Sequence, residues 1–66
     1  MKELIIKAKG FSDNGVHYIC TYKSKRFEMI VGHKGYGYTL TVGDLTNDEW
    51  GEVIPKHYHG EYTDES

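Results

Sequence analysis

Apolar and polar residues alternate along most of the first 42 positions of the chain, in runs separated by short segments rich in Gly, Asn and Lys. A period of two residues is typical of β-strands that bury one face. The pattern predicts four strands in an antiparallel meander with one apolar face. We predict that this face contains Leu4, Ile6, Ala8, Phe11, Tyr18, Cys20, Tyr22, Phe27, Met29, Val31, Tyr38, Leu40 and Val42.

The segment "SDNG" predicts the first hairpin. Asn-Gly is the strongest short hairpin signal, since both central residues of a type I′ turn need a positive φ. We therefore place Asn14 and Gly15 at the centre of the turn. A β-bulge at Gly10 then brings the apolar positions of the two strands together, with Ala8 opposite Cys20.

The next two connections, "KSKR" and "GHKGYG", predict the second and third hairpins. The alternation sets Tyr22 opposite Phe27 across the second hairpin and Val31 opposite Tyr38 across the third. On the other face of the sheet it sets Ile19 directly opposite a second isoleucine, Ile30.

The segment "LTNDEWGEVIP" predicts a helix that covers the apolar face. Thr46 followed three residues later by Glu49 is a capping box, and Pro55 is expected to end the helix. We predict a helix from about Asn47 to Ile54 and a short fifth edge strand over residues 57–62. The fold class is mostly β (α+β), with one domain over residues 1–62 and a frayed acidic C-terminus over residues 63–66.

Length and composition limit the possible functions. A domain of 66 residues is too small to enclose a large active site, and a domain this small often gains stability by oligomerisation. We therefore expect a homodimer. The only cysteine cannot form an internal disulfide, and the N-terminal segment is too polar for a signal peptide or a spanning helix, so we expect a cytoplasmic protein.

Basic residues predominate before position 43 and acidic residues after it, although the net charge is only −2. The second face of the sheet carries Arg26 and several lysines around Ile19 and Ile30, and this apolar spot is a candidate contact surface. A weak nucleic-acid-binding module is one possible function. The sequence argues against this function, because the aromatic residues that stack on bases fall mostly on the covered face and the acidic third of the chain repels phosphates.

The loop "GHKGYGY" is the most distinctive segment. Its glycines fit neither a dinucleotide fingerprint nor a P-loop, and strands rather than helices flank it, which excludes the arrangement of KH domains. Two interpretations stay open. His33 and Lys34 can bind a phosphate together with backbone N–H groups, or the glycines only allow the chain to turn and leave Tyr36 exposed as an anchor for a partner.

No group of residues predicts catalysis, a cofactor or a metal site. Cys20 falls on the buried face with no predicted base beside it, and the carboxylates near position 48 suit a helix N-terminus. In an extended chain His57 and His59 lie on one side, but two ligands at this spacing are weak evidence for a metal. We expect a protein that is not an enzyme.

A very small, Tyr-rich, Cys-poor chain without catalytic groups resembles the accessory proteins of bacteriophages and other mobile elements in size and composition. This resemblance implies an inhibitor or adaptor that binds and blocks a host protein, and we take that as the first hypothesis. The alternative is an oligomer that sequesters a nucleotide or other phosphate-bearing small molecule. No membrane partner is expected. The candidate contact residues are His33, Lys34, Tyr36, Ile19, Ile30 and Arg26.

Overall fold

A computed structural model describes residues 3–33 and 37–65. Its elements are β1 (Leu4–Ser12), β2 (Gly15–Tyr22), β3 (Lys25–Gly32), β4 (Tyr38–Val42), α1 (Asn47–Tyr58) and β5 (Thr63–Asp64). The strands form one sheet in the order β4-β3-β2-β1-β5, in which the first four strands are an antiparallel meander. The predicted fold class is confirmed.

The core lies between the sheet and α1. Its buried members are Leu4, Ile6, Cys20, Tyr22, Phe27, Met29 and Val53. Six of these seven come from the predicted apolar face, and Val53 comes from the helix. The prediction is wrong for three other positions of that face, since Ala8, Phe11 and Val42 are exposed.

The first hairpin turns one residue earlier than predicted. Ser12 pairs with Gly15, so the turn residues are Asp13 and Asn14 rather than Asn14 and Gly15. Gly15 is instead the first residue of β2, with a φ of 156°. A Cβ there would lie 2.2 Å from the backbone oxygen of Val31, so this position needs glycine for the close approach of β3 rather than for the turn.

The predicted bulge in β1 is present, between Ala8 and Gly10. The register differs from the prediction by two residues, because Ala8 pairs with Tyr18 and not with Cys20. A shift of two keeps every side chain on its predicted face. The side chains of β1 and β2 therefore lie on their predicted faces, although the predicted pairs between these two strands are wrong.

The second hairpin closes through a two-residue turn at Lys23 and Ser24, whose φ values are 50° and 66°. Tyr22 consequently pairs with Lys25 rather than with Phe27 as predicted. Two consecutive positive φ values are typical of a type I′ turn, which usually carries Asn or Gly. The sequence "KS" gives no such signal, and this explains the wrong register.

The third hairpin has the predicted pair of Val31 and Tyr38. An irregularity between Glu28 and Met29 then sets Val42 opposite Glu28 instead of Phe27. Since Glu28 belongs to the outer face of the sheet, Val42 turns away from the core and is 57% exposed.

The helix begins as predicted. Glu49 N–H donates to Thr46 Oγ1 at 3.1 Å and Thr46 N–H donates to Glu49 Oε1 at 3.0 Å, which completes the capping box. The prediction that Pro55 ends the helix is wrong, because α1 continues to Tyr58 with Pro55 inside it. Proline removes only one helical hydrogen bond, and its partner carbonyl belongs to the exposed Gly51, where water can replace the bond.

The fifth strand is shorter and later than predicted. Residues 57 and 58 still belong to α1, and β5 contains only Thr63 and Asp64. It pairs in parallel with Ile5 and Ile6 of β1, and Glu65 N–H donates to the Ile6 carbonyl at 2.9 Å. Over the described ranges, no helix is long and apolar enough to cross a membrane.

Candidate functional site

The helix covers only part of the inner face of the sheet. Near its start, the Trp50 ring meets the edge of Phe27 at a centroid distance of 6.4 Å. Near its end, the His57 ring lies 5.5 Å from Tyr18, and the helix stops at the next residue, Tyr58. The inner face beyond Tyr18, at the end formed by the first hairpin, therefore receives no helical cover.

On β1 and β2, three inner-face residues lie level with Tyr18 or beyond it, and we call them the open patch: Ala8, Phe11 and Val16. Phe11 is 83% exposed although it pairs with half-buried Val16 in a regular ladder. Tyr58, the last residue of α1, is 76% exposed. Sequence reasoning assigned Phe11 to the core. The signal that it missed is the difference in length between strand and helix. A nine-residue strand spans about 30 Å and a twelve-residue helix only about 18 Å, so the helix cannot cover the whole strand.

An aromatic cluster closes the core at the end of the helix. The His57 ring stacks on Tyr62 at 5.2 Å and 11°, and it meets the edge of Tyr38 at 5.3 Å. Burial lowers the pKa of His57 and raises the pKa of Tyr38. The Tyr38 hydroxyl and His57 Nδ1 share a hydrogen bond at 2.6 Å. These groups satisfy one another and fix the helix end on the sheet.

His57 and His59 would lie on one side of an extended chain, but this segment is not extended. Both residues lie at the end of α1, where His59 is the C-cap. His57 is occupied by its tyrosine neighbours. Among residues 3–33 and 37–65, no group of three or more His, Cys, Asp or Glu side chains is arranged to hold a metal ion.

The predicted position of Cys20 in the core is confirmed. Its side chain is buried, and burial raises the pKa of the thiol to about 12. A thiol with such a pKa stays protonated at neutral pH and is a poor nucleophile.

Part of the glycine-rich loop can be located. His33 is exposed, and its N–H donates to the Asn14 carbonyl at 3.3 Å. Gly32 N–H donates to the Gly37 carbonyl at 2.7 Å. The other two predicted contact residues of the loop, Lys34 and Tyr36, lie outside the described residues. Both of these backbone N–H groups are used within the protein, so neither is directed at a phosphate.

A pocket of about 270 Å³ opens beside this loop on the outer face of the sheet. Its described lining residues are Asn14, Ile30, Gly32, Gly37 and Thr39. None of these five carries a charged side chain.

The outer-face isoleucines are not directly opposite each other as predicted. Ile19 pairs with Glu28, and Ile30 pairs with His17. Both isoleucines are half-buried. Because the two pairs lie two residues apart along β2 and β3, Ile19 and Ile30 are diagonal neighbours on the same face. Arg26, the remaining predicted contact residue, is exposed at the start of β3.

Ion pairs neutralise much of the basic surface that the sequence indicated. In the described part of the chain they are Lys9–Glu28 at 2.8 Å, Lys23–Glu52 at 3.2 Å and Lys25–Glu49 at 2.8 Å. The hydrogen bond from Lys25, with those from Thr46, lowers the pKa of Glu49 to about 2. The basic second hairpin and the acidic helix are therefore partners within one molecule, and the charge asymmetry along the chain does not separate into two free surfaces.

Comparisons of the chain with protein-family models, with curated proteins and with solved structures find no match.

Proposed function

We propose that this protein is a small non-enzymatic binding protein of the cytoplasm that attaches to another protein through the open patch and blocks or adapts it. The observation that supports the proposal most strongly is the 83% exposure of Phe11 on the same face of the sheet as the core. A phenylalanine at this position is available to a partner without any change of fold.

Burial of Phe11 by a partner favours association. Complete burial of an exposed phenylalanine is worth about 1.5–3 kcal/mol. Phe11 is attached to a hydrogen-bonded strand, so its backbone loses little freedom when a partner covers it. Aromatic residues that enter an apolar pocket commonly account for much of the affinity of an interface.

The alternatives have less support. Lys9, Lys23 and Lys25 are already paired with carboxylates, which weakens the argument for a nucleic-acid partner. The N–H groups of Gly32 and His33 are bonded within the protein, and none of the described residues that line the neighbouring pocket is charged. These contacts weaken the argument for sequestration of a phosphate-bearing small molecule.

Site-specific photo-crosslinking in host lysate tests the proposal. A photoreactive phenylalanine analogue replaces Phe11 in one protein and replaces Asp48, an exposed residue at the start of the helix, in the control. We expect one host protein to be crosslinked from position 11 and not from position 48.

Affinity capture with alanine variants provides the second half of the test. Phe11→Ala should lose the crosslinked protein, and Val42→Ala should retain it, because Val42 is an exposed apolar residue on the opposite face. Equal capture by the two variants, or crosslinks from position 11 only to other copies of this chain, would contradict the proposal.

A further inference from the structure

The two edges of the sheet differ in how they are protected against pairing with another strand. At one edge, β1 has Lys7 and Lys9, a bulge next to Gly10 and a partial cover from β5. Lysines, bulges and covering segments are the usual features that prevent edge-to-edge association. The sequence of β4 at the other edge, "YTLTV", has no charged residue and no proline.

The hydrogen-bond pattern between β3 and β4 shows which backbone groups of the edge strand β4 have no partner in the sheet. Gly32 N–H donates to the Gly37 carbonyl, so these two residues form a hydrogen-bonded pair. Such pairs alternate along an antiparallel ladder, so Thr39 also uses its N–H and C=O on β3. The N–H and C=O groups of Tyr38 and Leu40 then point away from β3, toward the free edge.

The N–H and C=O groups that Tyr38 and Leu40 direct toward the free edge match those of a second copy of β4. If a second β4 runs antiparallel beside the first, Tyr38 of each copy faces Leu40 of the other, and roughly four backbone hydrogen bonds form between them. Thr39 then faces Thr39 on the two-fold axis. All paired side chains lie on matching faces of the joined sheet, as two-fold symmetry requires.

Side-chain exposure agrees with this arrangement. Tyr38 and Leu40 are half-buried on the inner face, so pairing covers more of their apolar surface. Thr39 is exposed on the outer face and has no role in the core. No charge lies on the described part of the strand to oppose a second copy.

We propose that β4 is a homodimerisation edge, where two copies of this chain join their sheets through Tyr38 and Leu40 with Thr39 on the two-fold axis. The interface and the open patch lie on different strands, since β3 separates β4 from β2 and the patch belongs to β1 and β2. Phe11 on β1 is three strands from Thr39 on β4, so substitutions at these two positions test host binding and dimerisation separately.

Disulfide trapping tests the register. Directly opposed residues of a non-hydrogen-bonded pair have Cα atoms about 4.5 Å apart, which is within the range of a disulfide. Thr39→Cys should form a covalent dimer under mild oxidation. The matched control is Thr63→Cys, an exposed threonine on the opposite edge of the sheet, which should stay monomeric on a non-reducing gel.

Light scattering with lysine variants tests whether this edge holds the native dimer. The unmodified protein should have twice the 7.6 kDa mass of the chain. Thr39→Lys sets two ammonium groups against each other on the axis and should halve the measured mass, whereas Thr63→Lys should leave it unchanged. Circular dichroism checks that both variants are folded.

Three results would overturn the inference: a monomeric unmodified protein at all concentrations, a dimer that survives Thr39→Lys, or a monomer whose capture of a host protein depends on Thr39. The last result would mean that this edge takes a strand of a different protein. Phe11→Ala should remain dimeric, so a failure of the proposed function does not affect this test.

Discussion

A hydrogen bond of 2.6 Å between the Tyr38 hydroxyl and His57 Nδ1 joins the edge strand β4 to the last turn of α1. The same imidazole ring stacks on Tyr62, which immediately precedes β5. One side chain thus connects three elements and marks the point where the helix ends. The open patch begins beyond that point.

The first prediction concerns the His57 pKa. Tyr62→Ala removes the ring that stacks on His57, so the imidazole becomes more accessible to water and its pKa, which burial lowers, should rise. Nuclear magnetic resonance titration of the imidazole protons measures it, with Tyr58→Ala as a control because Tyr58 is exposed and its ring contacts His59. An unchanged His57 pKa in Tyr62→Ala would contradict burial as the cause of the low pKa.

The same residue predicts a pH dependence of stability. The pKa of His57 is lowered in the folded protein, so the unfolded chain binds a proton at higher pH than the native state does. The contribution of neutral His57 is therefore complete above about pH 6.5. The free energy of unfolding should fall as the pH drops from there through the native pKa. Urea unfolding at a series of pH values measures it, and a flat profile between pH 7 and pH 5 would contradict the account.

Acid should weaken the attachment of the helix in a lower pH range. The pKa of Glu49 is lowered to about 2 by its bonds to Lys25 and Thr46, so its contribution is present above about 4.5, the ordinary pKa, and is lost as the pH falls toward 2. Glu49→Gln should lower the melting temperature at pH 7 and reduce the decline below pH 4.5. Glu61→Gln, an exposed glutamate beyond the helix, is the matched control. Identical acid profiles for the two variants would contradict the prediction.

Gly51→Ala should stabilise the protein. Gly51 lies inside α1, is exposed, and a Cβ built there has no atom within 4 Å. Alanine in a helix interior is favoured over glycine by about 1 kcal/mol. Thermal unfolding should show a higher melting temperature, and a decrease would mean that this part of α1 is not helical.

The turn at Lys23 and Ser24 predicts two substitutions of opposite effect. Ser24 has a φ of 66°, which costs a residue with a side chain about 1–2 kcal/mol and glycine very little. Ser24→Gly should therefore raise the free energy of unfolding. Ser24→Val should lower it, because a β-branched residue is least tolerant of positive φ. Equal effects of the two variants would argue against the type I′ turn.

Sequence reasoning predicted the sheet, its face assignment and the start of the helix because these depend on local patterns. Alternation fixed the side of Leu4, Cys20 and Met29, and the capping box placed Thr46 correctly. The register of β2 on β3 could not be predicted from local patterns. The turn at Lys23 and Ser24 sets it, and this turn contains no glycine or asparagine that would mark its position.

The candidate site was the least predictable part. Phe11 was assigned to the correct face, but its exposure depends on how far the helix extends across the sheet, which is a tertiary property. The end of the helix depends in turn on contacts between His57 and its tyrosine neighbours. No spacing in the sequence identifies those contacts.

The most direct test of the central claim is the affinity of the captured host protein for Phe11→Ala, measured by isothermal titration calorimetry beside the unmodified protein. We predict a loss of at least about tenfold, equivalent to about 1.4 kcal/mol, with an unchanged melting temperature because Phe11 is exposed in the free protein. Equal affinity for the two proteins, or a weaker affinity accompanied by a large fall in melting temperature, would contradict the claim that Phe11 is a binding residue rather than part of the fold.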